Sequence, residues 1–231
     1  LEEVHNKLAD FVKPGISTLE IDQFGEKAIR DLGCVPNFLN YNGYPASICV
    51  SVNDEVVHGI PSKDRILQDG DIVSLDAGLI HEGYHSDAAR THAVGNISEE
   101  AKRLIEVTKQ SFFEGIKLAV PGNHLFDISE AIQKYVESNG YSVVRDLVGH
   151  GIGTHLHEDP QIPNFKQRRK GMKLRPGMTL AIEPMVNEGS YDVVWLDDDW
   201  TVVTEDGSLA AHYENTIVIT EDGCEILTLS E

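Results

Sequence analysis

A chain of 231 residues with 41% hydrophobic content suits one large domain with a sizeable core. A formal net charge of −19 argues against a phosphate-binding surface, and so against direct nucleic-acid binding. Cys34, Cys49 and Cys224 form no CxxC pair, which leaves neither a disulfide framework nor a zinc knuckle and fits a reducing compartment.

In chain order, Phe11 to Gly15 closes an opening helix. Ser17 and Glu20 have capping-box spacing, with Ile16 and Ile21 as a staple. Ile21, Phe24, Ala28, Ile29 and Leu32 form a helical stripe that Gly33 ends. A loop rich in Asn, Tyr, Gly and Pro over 36–45 precedes a strand over 47–52, a turn at Asn53-Asp54, and Val56-Val57-His58-Gly59-Ile60-Pro61. Ile72 to Asp76 is apolar and β-branched at period two. Gly78 and Gly83 punctuate the middle of a hairpin, and Tyr84 starts its return strand toward Asp87 and Val94. Ser98 caps a helix to about Ala119, Pro121-Gly122 breaks it, and Asp127 with Glu130 caps the next, which Gly140 ends. The basic run Lys166-Gln-Arg-Arg-Lys170 reads as a solvated loop, and the last strand is expected over 225–229. No run approaches the ~18 residues of a spanning helix and no signal peptide is evident, so no membrane association and a cytoplasmic location are expected.

Landmarks recur 107 positions apart: Pro14-Gly15 and Pro121-Gly122, Ile21 and Ile128, Gly33 and Gly140, Gly70 and Gly177, Asp76 and Glu183. This is the mark of an internal duplication within a single domain spanning 1–231, with halves of about 1–107 and 108–231. Each half carries helices followed by an antiparallel hairpin, an α+β plan in which free strand faces meet or line a cleft. The second half inserts about 20 residues after Glu183, holding Trp195, Trp200 and Asp197-Asp198-Asp199, before its hairpin resumes at Ala211. Glu214 then stands where Asp87 stands in the first half.

Four carboxylates, Asp76, Asp87, Glu183 and Glu214, thus fall near the pseudo-twofold axis on strands that look buried. Buried anions need compensation, and no basic run lies near them in sequence, so a cation is the economical answer. Gly149-His150-Gly151-Ile152-Gly153 supplies a nitrogen donor on a backbone that glycine lets approach closely. An oxygen-rich set with one histidine suits two divalent ions of the Mn, Fe or Co kind better than a structural zinc. His58, before Gly59-Ile60-Pro61, and His157, before Glu158-Asp159-Pro160, sit in loop or strand-end contexts. His5, His81, His85, His92, His124 and His212 are assigned structural or solvated places.

Asp76 and Asp87 eleven apart, Gly-His150-Gly-Ile-Gly, Ile-Glu183-Pro-Met-Val and Tyr-Glu214-Asn-Thr-Ile-Val together resemble the type I methionine aminopeptidases, over essentially the whole chain. The resemblance implies the pita-bread fold, with two pseudo-twofold α/β halves around a central metal site. It also implies removal of the initiator methionine from nascent chains, with a small second residue preferred. By that likeness Asp76 and Asp87 chelate and bridge the metals, Glu214 also bridges, and His150 and Glu183 hold the other ion. Glu183 shuttles a proton as well. His58 and His157 contact the substrate amide and the tetrahedral intermediate, and Tyr41, Tyr44, Cys49 and Trp200 line the methionine pocket. Aminopeptidases are standing examples of two-metal enzymes, so the count of two comes with the family. Asn42 and Leu156 depart from some relatives, which carry histidine and phenylalanine there, and this puts the pocket rim in question. Only 31 positions separate Glu183 from Glu214, leaving no place for the insertion expected of type II enzymes. Neither a Cys-rich extension nor the extra N-terminal domain expected of prolidases precedes the repeat. The expected partners are nascent-chain N-termini, with the ribosome a candidate contact and a monomer the expected state. The rival readings are a facial-triad Fe(II) oxygenase built on His85-Ser-Asp87, a binding module on the same fold, and X-Pro cleavage.

Overall fold

The computed structural model describes residues 1–229. Ser17 opens the helical register of the first half: its hydroxyl accepts the Glu20 N–H at 3.2 Å while the Glu20 carboxylate accepts the Ser17 N–H at 2.8 Å. Helices α1 (Glu2–Phe11) and α2 (Thr18–Asp31) bury Val4, Leu8, Ile21 and Ile29 against Ile48, Val50 and Leu75 of a sheet. Each such side chain contributes roughly 1.5–3 kcal/mol of apolar burial. That sheet is built on β2 (Ile72–His81), which pairs antiparallel with β1 (Ile48–Val52) on one edge and with β3 (Tyr84–Ala93) on the other.

The second half repeats this plan. Helix α3 (Glu99–Ile116) precedes α4 (Leu125–Ser138), which matches α2 at both ends when displaced by 107 positions. The short strands Val35–Pro36 and Ser142–Val143 bear the same relation, as do the isolated bridges Ser17 to Ile66 and His124 to Lys173. The second sheet runs antiparallel through β4 (Gly149–Gly151), β5 (Thr179–Ile182) and β6 (Asn215–Ile219), with Glu158–Ile162 and Cys224–Ile226 at its edges. Phe112, Leu104, Leu125, Ile128 and Ile132 fill the core beneath it.

The halves meet at the carboxylates. Ala89 and Glu214 exchange backbone hydrogen bonds at 3.3 and 3.0 Å. The Thr216 hydroxyl accepts from the Asp87 N–H and donates to the Asp87 carbonyl, both at 2.9 Å. Arg90 reinforces the join, donating to the Glu214 carbonyl and to the Asn215 side chain while lying 4.5 Å over the Tyr213 ring.

Four local expectations shift. Gly78 lies inside β2, paired with Asp87, and the turn falls at Glu82-Gly83, both at positive φ. Asp127 is the third helical residue rather than the cap: its carboxylate accepts the His124 N–H at 2.8 Å, so α4 starts three residues earlier, where the repeat of Ser17 falls. Helix α3 stops at Ile116, and a tighter turn carries the chain to Ala119. The final strand is Cys224–Ile226, paired with Ile217 to Ile219 of β6; beyond it the Thr228 hydroxyl accepts the Thr216 N–H at 3.1 Å and the ladder ends.

The insertion of the second half is not a free loop. Val193–Trp195 pairs with Val202–Thr204, which in turn pairs with Glu55–Val57 of the first half. This crossing brings Trp200 of the insertion to the lining of the cleft. No helix among the described residues is long and apolar enough to cross a membrane. The run 166–170 is largely exposed, with Lys166 paired to Glu130.

Candidate metal centre and substrate pocket

Asp76 lies in β2 opposite Cys49 on one edge and Ala89 on the other, and Asp87 lies across from Gly78. His150 depends on its glycines. A Cβ at Gly149 would stand 2.4 Å from the Ala181 carbonyl oxygen, and one at Gly151 2.3 Å from that of Asp159, so only glycine lets β4 sit this close to both neighbours. The His150 Nδ1–H donates to the Gly151 carbonyl at 2.8 Å, which leaves the Nε2 lone pair for something else. That Nε2 stands 3.7 Å from Glu183 Oε1 and 3.9 Å from Asp87 Oδ2. These separations exceed hydrogen-bonding range.

Donor atoms of Asp87, His150 and Glu214 all lie within 4.8 Å of one another, as do those of Glu183, His212 and Glu214. Glu214 belongs to both groups. Asp76 Oδ1, Asp87 Oδ1, Glu214 Oε1 and both ring nitrogens of His212 are buried without a hydrogen-bond partner. So many orphaned polar atoms at one spot would be costly in a finished protein interior. Burial pushes the carboxyls of Asp87, Glu183 and Glu214 well above the usual range, with the neighbouring carboxylates adding to it, and lifts Asp76 to about 7. Burial also lowers His150 to about 4 and His212 to about 3, so both imidazoles are neutral at pH 7 and offer lone pairs. Oxygen donors in excess, neutral imidazole nitrogens and unpaired atoms facing one another fit divalent cations.

Above this floor opens a cavity of about 300 Å³, lined by Tyr41, Tyr44, Cys49, His58, Asp76, Asp87, His150, His157, Glu183, Trp200 and Glu214. The eleven residues singled out from the sequence are thus among its lining, which Phe38, Asn42, Val57, Asp146, Leu147, Val148, Leu156 and Met185 complete. Phe38, Tyr44, Ala46, Cys49, Ile152 and Leu156 form a buried apolar cluster at its side, with Tyr41 and Trp200 packed against it. The Tyr44 O–H donates to the Gly59 carbonyl at 2.8 Å. Trp200 meets the Tyr44 ring edge-on at 5.1 Å and lies 6.4 Å from the His58 ring. The Asp198 carboxylate accepts the backbone N–H groups of Trp200 and Thr201 at 2.9 and 2.8 Å, so the acidic turn positions the indole. His58 holds a left-handed backbone at φ 59°, and burial lowers its ring pKa to about 4. Leu156 is buried in the wall, whereas Asn42 is exposed at the rim.

The sequence reading missed His212. It was assigned a structural place, yet it is 1% exposed with Nε2 3.8 Å from Glu183 Oε2. No periodicity marks it, because the strand ends at His212 and the next begins only at Asn215. Three other histidines have side-chain contacts away from the carboxylates, His5 with the Ala88 carbonyl, His85 with the Asn37 side chain and His81 with Cys34, while the buried Nε2 of His92 has no partner among the described residues. His85 is therefore turned to Asn37, which removes the facial-triad arrangement.

The pattern of metallopeptidase family M24 matches residues 1–221, and the chain belongs to that family. Among its relatives, a methionine aminopeptidase of Clostridium acetobutylicum is 58% identical over 229 residues, covering 99% of this chain and 92% of that protein. The crystal structure of a Thermotoga maritima methionine aminopeptidase superposes with a TM-score of 0.97 at 47% identity, covering 99% of this chain and 92% of that one. A Pyrococcus furiosus prolidase shares the fold at a TM-score of 0.77 and 21% identity, covering all of this chain and 60% of that one. The architecture is thus the pita-bread fold of the M24 enzymes, and the chain is a metallopeptidase in its make-up.

Proposed function

We propose that this chain removes the initiator methionine from the N-termini of nascent polypeptides, preferring a small second residue. The observation that carries the reading is the meeting of an orphaned acidic floor with an apolar aromatic wall in one cavity. Asp76, Asp87, His150, Glu183 and Glu214 would hold two divalent ions of the Fe, Mn or Co kind, Glu214 being common to both donor groups. Bound there, such ions supply Lewis acidity and a water acidic enough to attack at neutral pH.

The chain's own residues do the rest. Tyr41, Tyr44, Cys49 and Trp200 take up the flexible thioether, which suits an apolar and aromatic surround. His58 and His157 hold the scissile amide, and His157 donates to its oxygen as negative charge develops. Glu183 takes a proton from the attacking water and returns it to the leaving amine. A chain N-terminus is the natural partner of a cleft lined on one side by Trp200 of the insertion, and the protein acts as a cytoplasmic monomer.

The test is a peptide panel run on metal-free protein with each divalent ion added back. Met-Ala-initiated peptides should be cleaved and Lys- or Glu-initiated ones left intact. Preferential cleavage of X-Pro peptides would assign the chain to the prolidase-like activity instead.

A further inference from the structure

Two tyrosines stand in the pocket wall with their hydroxyls differently engaged. That of Tyr44 is taken by the Gly59 carbonyl. That of Tyr41 lies 2.8 Å from Nδ1 of His157, a residue 116 positions away in the chain. Tyr41 sits on a tight turn whose flanking residues Asn40 and Asn42 both adopt left-handed backbone. Its N–H donates to the Phe38 carbonyl at 2.9 Å and its carbonyl accepts the Tyr44 N–H at 3.0 Å, so the phenol is aimed by a fixed backbone. The His157 ring is held between the Tyr41 ring, centroids 5.2 Å apart, and the His150 ring at 4.3 Å.

At pH 8, well above the ordinary imidazole pKa of about 6.5, such a ring is neutral. A neutral imidazole carries one N–H and one lone pair, and the partner of one nitrogen decides the state of the other. The Tyr41 hydroxyl makes no other hydrogen bond among the described residues, and a phenol is a better donor than acceptor. It therefore donates to Nδ1, and the single ring proton resides on Nε2, which no described residue engages. The opposite arrangement would turn a lone pair toward the oxygen that the ring is meant to stabilise.

We propose that Tyr41 is a positioning residue, whose hydroxyl fixes His157 as the Nε2–H tautomer and so presents an N–H to the substrate carbonyl. The catalytic consequence rests on His157 acting as the donor to that carbonyl, whereas the tautomer assignment does not. Tyr41 is then more than apolar wall: its ring packs and its oxygen sets the protonation pattern of a neighbour.

Long-range proton–nitrogen spectra of histidine-labelled protein, loaded with diamagnetic zinc at pH 8, read the tautomer directly. His157→Gln assigns the signal, and Tyr44→Phe serves as a control that should leave the His157 signal unchanged. Wild type should show His157 protonated on Nε2. Tyr41→Phe, which keeps the ring, should move that signal toward a mixture. It should lower kcat on a Met-Ala peptide roughly fivefold to tenfold, the scale of one net hydrogen bond, with KM changed by less than about twofold. An Nδ1–H tautomer in wild type overturns the proposal, as does a Tyr41→Phe protein with unaltered spectrum or with wild-type kcat. If His157→Gln is slow while Tyr41→Phe is not, only the positioning role fails. If both turn over normally, the assignment of His157 as donor falls as well.

Discussion

The two hairpins that carry the carboxylates are built to different standards. In the first half β2 and β3 pair without interruption over ten residues, from Ile72 opposite Ala93 to His81 opposite Tyr84. Asp76 and Asp87 are simply side chains of this ladder. In the second half β5 ends at Ile182, just before Glu183, pairing resumes as Met185–Asn187 against Ala210–His212 with the insertion beyond it, and β6 begins at Asn215, just after Glu214. Both glutamates therefore sit at the break between two paired stretches of the hairpin. The regular hairpin fixes two carboxylates and, through Ala89 and Arg90, the join to the other half. The interrupted one gives up ladder hydrogen bonds, and its insertion delivers Trp200 to the pocket while its return strand brings His212 beside Glu183. The first half supplies two rigidly held carboxylates and, through Tyr41, Tyr44 and Cys49, much of the wall, and the second supplies the other two carboxylates with His150, Leu156 and Trp200.

Substitutions should separate along this line. The largest contrast is expected between the two histidines of the second half. His157→Ala should lower kcat by roughly 10²–10³-fold, the scale for losing one donor at a developing oxyanion, with both ions retained. His150→Ala should lose bound metal along with rate, because its free Nε2 faces the carboxylates. Paired measurement of metal content and kcat decides it: equal metal loss in the two variants would erase the distinction between floor and rim.

A smaller effect is expected at the wall. Trp200→Ala removes an indole packed on Tyr44 and should cost roughly 10–100-fold in kcat/KM for methionine peptides, the range for a lost apolar pocket contact, while metal content stays normal. A variant that loses metal instead would mean that the insertion holds the floor together as well.

A separate readout is stability without metal. Asp76 titrates near 7 in the fold against an ordinary 3.8, because burial disfavours its charge. A carboxyl that holds its proton more tightly when folded favours folding below about pH 3.8 and loses that contribution as pH rises through about 7. Chelator-treated Asp76→Asn should therefore gain on wild type between pH 4 and pH 8, by on the order of a few kcal/mol in denaturant unfolding. Added divalent ions should reverse the order at pH 8. A pH-independent difference between the two proteins would show that the Asp76 carboxylate is not strained in the metal-free fold.

Much of this was legible in the chain because duplication repeats local chemistry. The capping box at Ser17, the glycines at 33 and 140 and the carboxylates at 76 and 183 each follow from short-range rules, and one offset ties them together. The same offset would have corrected the α4 cap, since Ser17 maps onto His124, but the side chain there is not a usual cap and Asp127 attracts the eye. His212 escaped for a different reason. The strand breaks between Ala210–His212 and Asn215–Ile219, so alternation cannot be carried from Glu214 back to His212. The pairing of Val202–Thr204 with Glu55–Val57 and the meeting of Tyr41 with His157 join distant segments, and no local pattern marks either.

The account turns most on Glu214, the one residue common to both donor groups. The direct measurement is a titration of metal-free protein with Mn²⁺ or Co²⁺ under exclusion of oxygen, followed by the bound ions per chain in wild type and in Glu214→Gln. A shared bridging carboxylate predicts two ions in wild type and the loss of both in the variant, with the fold retained by circular dichroism. Two ions bound by Glu214→Gln with wild-type affinity would contradict it.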